Sequence, residues 1–224
     1  MSTTTGAAAP SALGAAPAKA GIILTTLILG AMVANINTSI SNVALPSIGS
    51  ALNATDTQLT GITDAYQLGI AATVLYLGAV GDRYGRKRML LLGAFLCVPF
   101  SLMSAWSPTA VFLIGAQIAV GVSGGMLYPT TLSMITALWR GKKLTAAIAL
   151  WTGIGTGASV LGPILGGWLL GNYWWGSVFL ITVPLAIVVL VLGFVVLPKS
   201  AAEHNEPVDH QGGTLSVIMI SSLV

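Results

Sequence analysis

Charged residues are scarce in this chain. Asp, Glu, Lys and Arg make up only 7% of its 224 residues, whereas soluble domains average about 25%. The single cysteine, Cys97, excludes an intrachain disulfide and a metal site built from several cysteines. The sequence offers no nucleophile and base pair and no nucleotide-binding loop, so we predict neither an enzyme nor a cofactor. Hydrophobic residues reach 55%, which indicates an all-α integral membrane protein.

Basic residues outnumber acidic ones by nine to six, giving a sequence pI of about 9.2. They lie in short segments between apolar runs rather than on one free patch, so we predict no nucleic acid partner. If each run crosses the bilayer once, all nine fall on the same side. The positive-inside rule then predicts a multi-pass plasma membrane protein with a cytoplasmic N-terminus, whose immediate partner is the lipid bilayer.

Six apolar runs are long enough to cross about 30 Å of hydrocarbon as helices. We therefore predict a six-helix bundle over residues 21–198, preceded by a disordered cytoplasmic tail at 1–20. A cytoplasmic connector follows at 199–213, and 214–224 reads as the truncated start of a seventh helix, because so few residues cannot cross a bilayer. We expect the chain to be the front part of a longer protein. The predicted runs are 22–45, 58–81, 87–106, 108–138, 144–171 and 174–197.

A charged segment, GAVGDRYGRKR, separates the second and third runs. Such a turn can hold a carboxylate against cations in contacts that break and reform between two states, or it can be a plain topology signal. The pattern closely resembles the loop signature of the major facilitator superfamily, G-x-x-x-D-R-x-G-R-K/R-x. The resemblance implies a gating loop at Gly78, Asp82, Arg83, Gly85, Arg86 and Arg88.

The fifth run contains GIGTGASVLGPILGGWLLG, a stripe of small residues on which a neighbouring helix can approach closely. Its proline leaves the carbonyl of Ser159 without an amide donor, so the helix can bend there. Ordinary tight packing explains the stripe equally well. Its GP-x-x-GG core nevertheless resembles the antiporter motif of drug:proton exchangers, which implies export. The motif residues are Gly153, Gly157, Gly162, Pro163, Gly166 and Gly167.

The first and fourth runs resemble the fourteen-helix branch of those exchangers, with two departures. Asn37 stands where that branch has an acid, and Gln117 stands where it has an arginine associated with proton coupling. Neutralising both members of a buried pair costs far less than removing one, so we predict an amide network between them. Asn35, Ser39 and Asn42 share one helix face, where they either line a cavity or bond neighbouring helices.

Asp64 is the acidic residue that lies within a run, and an intramembrane carboxylate is a functional candidate by default. It precedes Asp82 by 18 residues, or roughly 27 Å of helix, which places it near the outer interface. It is therefore either a cation or proton site or a wetted residue near the helix start. The surrounding residues are similar to W-I-V-D-x-Y-S-L of multidrug exchangers. Tyr66 is retained, as a cavity ring or as packing, while Gly61 replaces the tryptophan.

The resemblance as a whole implies one of two six-helix bundles that enclose a central cavity. It implies proton-coupled export of small lipophilic or cationic compounds, with a small-molecule substrate, protons and the missing C-terminal half as partners. Two alternatives remain: a metabolite transporter of the same fold with other or no ion coupling, and a non-transporting half-bundle that acts as an assembly or regulatory partner.

Overall fold

The computed structural model describes residues 19–198, together with residues 215 and 219. The predicted tail at 1–20 lies almost wholly outside the described residues, and the connector at 199–213 lies wholly outside them. Of the predicted seventh-helix start at 214–224, only Leu215 and Met219 are described. These three predictions stay predictions.

The described part of the chain is helical and contains no strand, which confirms the predicted all-α bundle. Five stretches are long and apolar enough to span a membrane, with α6 and α7 counted together as one. The remaining helix, α2, has 29 residues but is less apolar, because polar side chains such as Asp64 and Gln67 interrupt it. The helices are α1 Ala20–Leu52, α2 Asp56–Tyr84, α3 Arg86–Ala105, α4 Ala110–Leu138, α5 Gly141–Asn172, α6 Ser177–Leu180 and α7 Thr182–Val196.

The first helix is longer than its apolar run suggests. We predicted an end at residue 45, but α1 continues past Pro46, because a proline inside a helix removes one amide bond without ending it. The helix ends at Asn53, which adopts the left-handed conformation with φ 49°. Two residues later a capping box starts α2: the Thr55 hydroxyl accepts from the Gln58 amide at 3.3 Å, and the Gln58 side chain accepts from the Thr55 amide at 3.0 Å.

The sixth predicted run is divided. The division into α6 and α7 falls at Ile181, whose backbone angles remain helical. Pro184 explains it, since a proline there cannot donate to the carbonyl of Leu180, four residues earlier. The helix also starts at Ser177, later than the predicted residue 174. Gly176, just before it, lies so close to the carbonyl of Ala105 that a side chain would collide with it.

The helices alternate in direction, which defines two ends of the bundle. The end that carries the α2–α3 and α4–α5 turns and the N-terminus of α1 holds all the described Lys and Arg residues, and we call it the basic end. The end with the α1–α2 and α3–α4 turns is the far end. The first three helices start from the basic end and the second three from the far end, so the two triples have inverted topology.

Glycines set the closest helix contacts, which lie between α2 and α4. A Cβ at Gly69 would fall 2.5 Å from the carbonyl oxygen of Ile118, and one at Gly121 would collide with the carbonyl of Tyr66. Only glycine permits this approach of two backbones. Gly125 opposes Thr73 in the same way further along. The pair therefore forms a rigid wall that fixes the positions of the side chains near the far end.

The start of α3 is joined to the end of α7 by one lysine. Lys87 Nζ donates to the carbonyls of Phe194 at 2.8 Å and Leu197 at 2.6 Å, and lies 5.8 Å from the centre of the Phe194 ring. The last carbonyls of a helix have no amide partner within it and form the negative end of its dipole. Lys87 therefore caps α7 from a neighbouring helix, which we call the Lys87 cap.

Candidate functional site

A groove of about 590 Å³ opens between α2 and α4 near the far end. Its volume is within the range of about 300–1,000 Å³ that is usual for small-molecule sites. One wall is polar, from the first three turns of α2, and the other is formed by two isoleucines of α4. We call it the α2–α4 groove, and it is lined by Asp56, Thr57, Thr60, Gly61, Asp64, Ala65, Leu68, Ile114 and Ile118.

Two carboxylates face this groove, those of Asp56 and Asp64. Within residues 19–198, neither accepts a side-chain hydrogen bond nor forms an ion pair, since the salt bridge in this range joins Arg86 to Asp82 at the basic end. All the described cations are at that end, roughly 27 Å of helix away from Asp64, which is several Debye lengths in physiological salt. The groove therefore has an uncompensated negative charge beside an apolar wall.

The amides of Asn37 and Gln117 are both deeply buried, with exposed fractions of 2% and 0%. Asn37 Oδ1 and both polar atoms of Gln117 have no hydrogen-bond partner. The predicted amide network is therefore wrong as a direct contact. Packing brings both residues into the interior but leaves the two amides out of reach of each other, and each unpaired buried polar group costs about 1–3 kcal/mol.

The other predicted cavity residues have structural partners. Tyr66 is 1% exposed and donates from its hydroxyl to the carbonyl of Ala34 at 2.8 Å, so it packs inside the bundle rather than facing the groove. Asn35 Nδ2 donates to Ala31 in its own helix at 3.0 Å, and Asn42 Nδ2 donates to Thr38 at 3.1 Å. Of these three side chains, only that of Asn42 is exposed.

The carbonyl that Pro163 leaves without an amide donor has a partner on another helix. Ser39 Oγ, on α1, donates to the carbonyl oxygen of Ser159, on α5, at 2.6 Å. The sequence identified the acceptor but not the donor, because the two residues are 120 positions apart. This bond, which we call the Ser39–Ser159 bond, fixes α1 against α5 where the proline weakens α5.

The glycines of the predicted antiporter motif lie on two different faces of α5. Gly162 and Gly166 contact α1, where an added Cβ would come within 2.8 Å of Ser39 and 2.9 Å of Ile40. Gly153, Gly157 and Gly167 have no atom within 4 Å of the Cβ position. The prediction of one stripe is therefore only half right: one set closes the bundle, and the other set is uncovered.

The predicted gating loop forms a polar cluster at the basic end. Asp82 Oδ1 accepts from Arg86 Nε at 2.7 Å and from the Ser133 hydroxyl on α4 at 2.8 Å. Gly85 has φ 110°, a conformation that favours glycine, and permits the reversal between α2 and α3. The other predicted loop residues surround this cluster: Gly78 packs on Pro129, Arg83 lies 5.4 Å from the Tyr84 ring centre, and Arg88 is exposed.

Asp56 and Ser133 are site residues that the sequence analysis missed. Asp56 reads as a loop residue until the capping box extends α2 back to it. The signal was present in the spacing of Asp56, Thr60 and Asp64, at successive intervals of four. Ser133 carried no comparable signal, since a lone serine in an apolar helix is common and its partner is on a different helix.

Comparison with known proteins gives concordant matches. The model of the family described as Major Facilitator Superfamily matches residues 27–223. The multidrug efflux pump LfrA of Mycolicibacterium smegmatis is 36% identical over 209 residues, which are 93% of this chain and 42% of that protein. The methyl viologen resistance protein SmvA of Salmonella typhimurium is 35% identical over 204 residues, 91% of this chain and 41% of that protein.

Solved structures agree on the fold. A peptide transporter in complex with sulfate superposes with a TM-score of 0.72 at 13% identity, covering 89% of this chain and 44% of its own. The proton:xylose symporter XylE superposes with a TM-score of 0.69 at 15% identity, covering 90% of this chain and 48% of its own. The present chain thus spans about two fifths of the length of the curated relatives quoted above.

Proposed function

The chain belongs to the major facilitator superfamily, a family of multi-pass membrane transporters and not of enzymes, and we propose that it forms the N-terminal bundle of an exporter of small lipophilic or cationic compounds. Export would be driven by exchange for protons. The plasma membrane, with the basic end in the cytoplasm, is the proposed location, on the positive-inside rule. The substrate, protons and a second six-helix bundle are the proposed partners.

The Asp64 carboxylate in the α2–α4 groove is the observation that carries this proposal. A carboxylate without a cationic partner attracts either an organic cation or a proton, and the wall of Ile114 and Ile118 suits an apolar body. Because one carboxylate cannot hold both ligands well, binding of a proton would release the cation. Competition of this kind is sufficient to couple export to a proton gradient.

The names of the relatives support the substrate class. One is a multidrug efflux pump and another a methyl viologen resistance protein, and methyl viologen is an organic cation. Others are named for tetracenomycin C export and for riboflavin transport, so the family also handles compounds that are not cationic. The groove is what favours cations for this chain.

Efflux from cells that produce the protein tests the proposal. Asp64→Asn should lower the initial rate of efflux of a fluorescent lipophilic cation by about tenfold, the effect of losing roughly 1.4 kcal/mol of binding. Asp64→Glu, which keeps the carboxylate, should retain a large part of the rate. Unchanged efflux in Asp64→Asn would contradict the role of Asp64.

A second candidate is a metabolite transporter with other or no ion coupling. The neutral residues Asn37 and Gln117 favour it, because they replace both members of the charged pair expected in proton-coupled relatives. Addition of a protonophore distinguishes the two: export driven by protons should collapse, whereas uncoupled transport should continue.

Assembly with a second bundle is the remaining part of the proposal. The chain matches two fifths of its relatives, and α5 has an uncovered face at Gly153 and Gly157. A non-transporting half-bundle with a regulatory role is the alternative. Transport by residues 1–224 in vesicles would favour the exporter, whereas association with another membrane protein without transport would favour the alternative.

A further inference from the structure

We propose that the α2–α4 groove is a binding site for elongated dications, with Asp64 holding one positive charge and Asp56 the other. The inference rests on the proposed function and adds to it a substrate class and a second binding residue. It follows from the position of the two carboxylates, the surface between them, and the absence of competing cations.

The two carboxylates are spaced along one helix. They are eight residues apart on α2, which corresponds to about 12 Å along the axis, and both line the same groove. At that separation in water the two anions repel each other weakly, so both can be ionised together. A single small cation can neutralise only one of them. A ligand with two charged ends and a spacer of similar length can contact both.

The surface between the charges suits such a spacer. Thr60 lies one turn from each carboxylate, and its hydroxyl donates to the carbonyl of Asp56 at 3.1 Å, so its polar group is already satisfied. Ile114 and Ile118 form the opposite wall along the same length. Burial of methylene groups against them contributes about 0.8 kcal/mol for each group that is fully removed from water. A long apolar spacer therefore gains where a short one cannot.

Asp56 also has a structural role that must be separated from binding. It occupies the first turn of α2, where an acidic side chain interacts favourably with the helix dipole. The capping box itself, however, is made by Thr55 and Gln58 and does not use the Asp56 side chain. Asparagine is also well tolerated near helix starts, so Asp56→Asn removes the charge with little effect on the helix.

Direct binding to the purified 224-residue chain in lipid nanodiscs tests the inference without requiring transport. Isothermal titration would compare decamethonium, which has a long polymethylene spacer, with hexamethonium, which has a short one, and with the monocation tetramethylammonium. We expect decamethonium to bind the unchanged chain most tightly. Asp56→Asn should weaken decamethonium by about five- to tenfold, the effect of one charge contact near a surface, and leave tetramethylammonium unchanged. Asp56→Glu should restore the preference.

Equal affinity of decamethonium and hexamethonium for the unchanged chain would overturn the inference, as would unchanged decamethonium binding in a folded Asp56→Asn variant. If that variant failed to fold, the spacer series on the unchanged chain would still decide. Efflux in cells separates the two proposals. Export of monocations without any effect of Asp56→Asn on dications would overturn this inference alone, whereas groove binding without efflux would overturn the exporter alone.

Discussion

At the scale of single residues, the Ser39–Ser159 bond is a cross-helix contact with a covalent cause. Pro163 lacks the amide that would have bonded the Ser159 carbonyl, and Ser39 supplies the missing donor from α1 at 2.6 Å. Hydrogen bonds between membrane helices contribute about 0.6 kcal/mol on average and up to 1.7 kcal/mol. The value is expected to be high here, because the acceptor has no alternative partner within its helix.

Ser39→Ala should therefore lower the free energy of unfolding by about 1 kcal/mol, measured by reversible denaturation in mixed micelles. Ser50→Ala is a matched control, because the Ser50 hydroxyl bonds only a carbonyl of its own helix, that of Ser47, at an exposed position. In a Pro163→Ala background the backbone amide returns to Ser159, so the cost of Ser39→Ala should nearly vanish. Equal costs in the two backgrounds would show that the proline is irrelevant to the bond.

At the scale of helices, the two glycine faces of α5 behave differently although one motif contains both. Gly162 is held against Ser39, whereas Gly157 faces open space. The motif alone does not reveal this, because residues separated by five positions lie on opposite sides of a helix. The contrast provides a pair of substitutions with the same chemistry and opposite expected effects.

Gly162→Ala should destabilise the chain by about 1–3 kcal/mol, because its methyl group would lie 2.8 Å from Ser39 and must displace α1. Gly157→Ala should be neutral or stabilising by up to about 1 kcal/mol, since alanine favours helix and nothing opposes it. Thermal unfolding of the two purified variants in the same detergent measures the difference. A larger loss at Gly157 would mean that α5 packs with its other face.

Several elements could be predicted from the sequence, because their causes are local. Apolar runs of membrane length located the helices, and Gly85 marked the sharp turn before α3. The error at Pro46 arose from treating a proline as a helix end when it removes only one bond. The relation between Asn37 and Gln117 could not be predicted, since it depends on how α1 is placed against α4 to within the length of one side chain.

At the scale of the whole molecule, orientation in the membrane is the property that the charge distribution predicts most directly. Every described Lys and Arg lies at the basic end, and the far end displays Asp56. The positive-inside rule therefore assigns the basic end to the cytoplasm, where a substrate would enter before export. The α2–α4 groove would then open near the outer surface.

Single cysteines in a Cys97→Ala background test this orientation, since Cys97 is the native thiol and is buried. Ser107 in the α3–α4 turn is only 5% exposed, so Pro108 and Lys142, both exposed, are better positions for labelling. An impermeant maleimide applied to intact cells should label Pro108→Cys at once and Lys142→Cys only after permeabilisation. Labelling of both from the same side would contradict the alternating helices.

The Lys87 cap has a mechanical consequence for the whole bundle. Lys87 belongs to the same turn as the Asp82–Arg86 pair, yet its ammonium group is bound to the carbonyls that end α7, just before the chain leaves the bundle at Pro198. A displacement of the gating loop must either pull the end of α7 along or break two charge-assisted bonds, each worth about 1.5–3 kcal/mol. The loop and the exit of the chain therefore move as one lever with a single fulcrum.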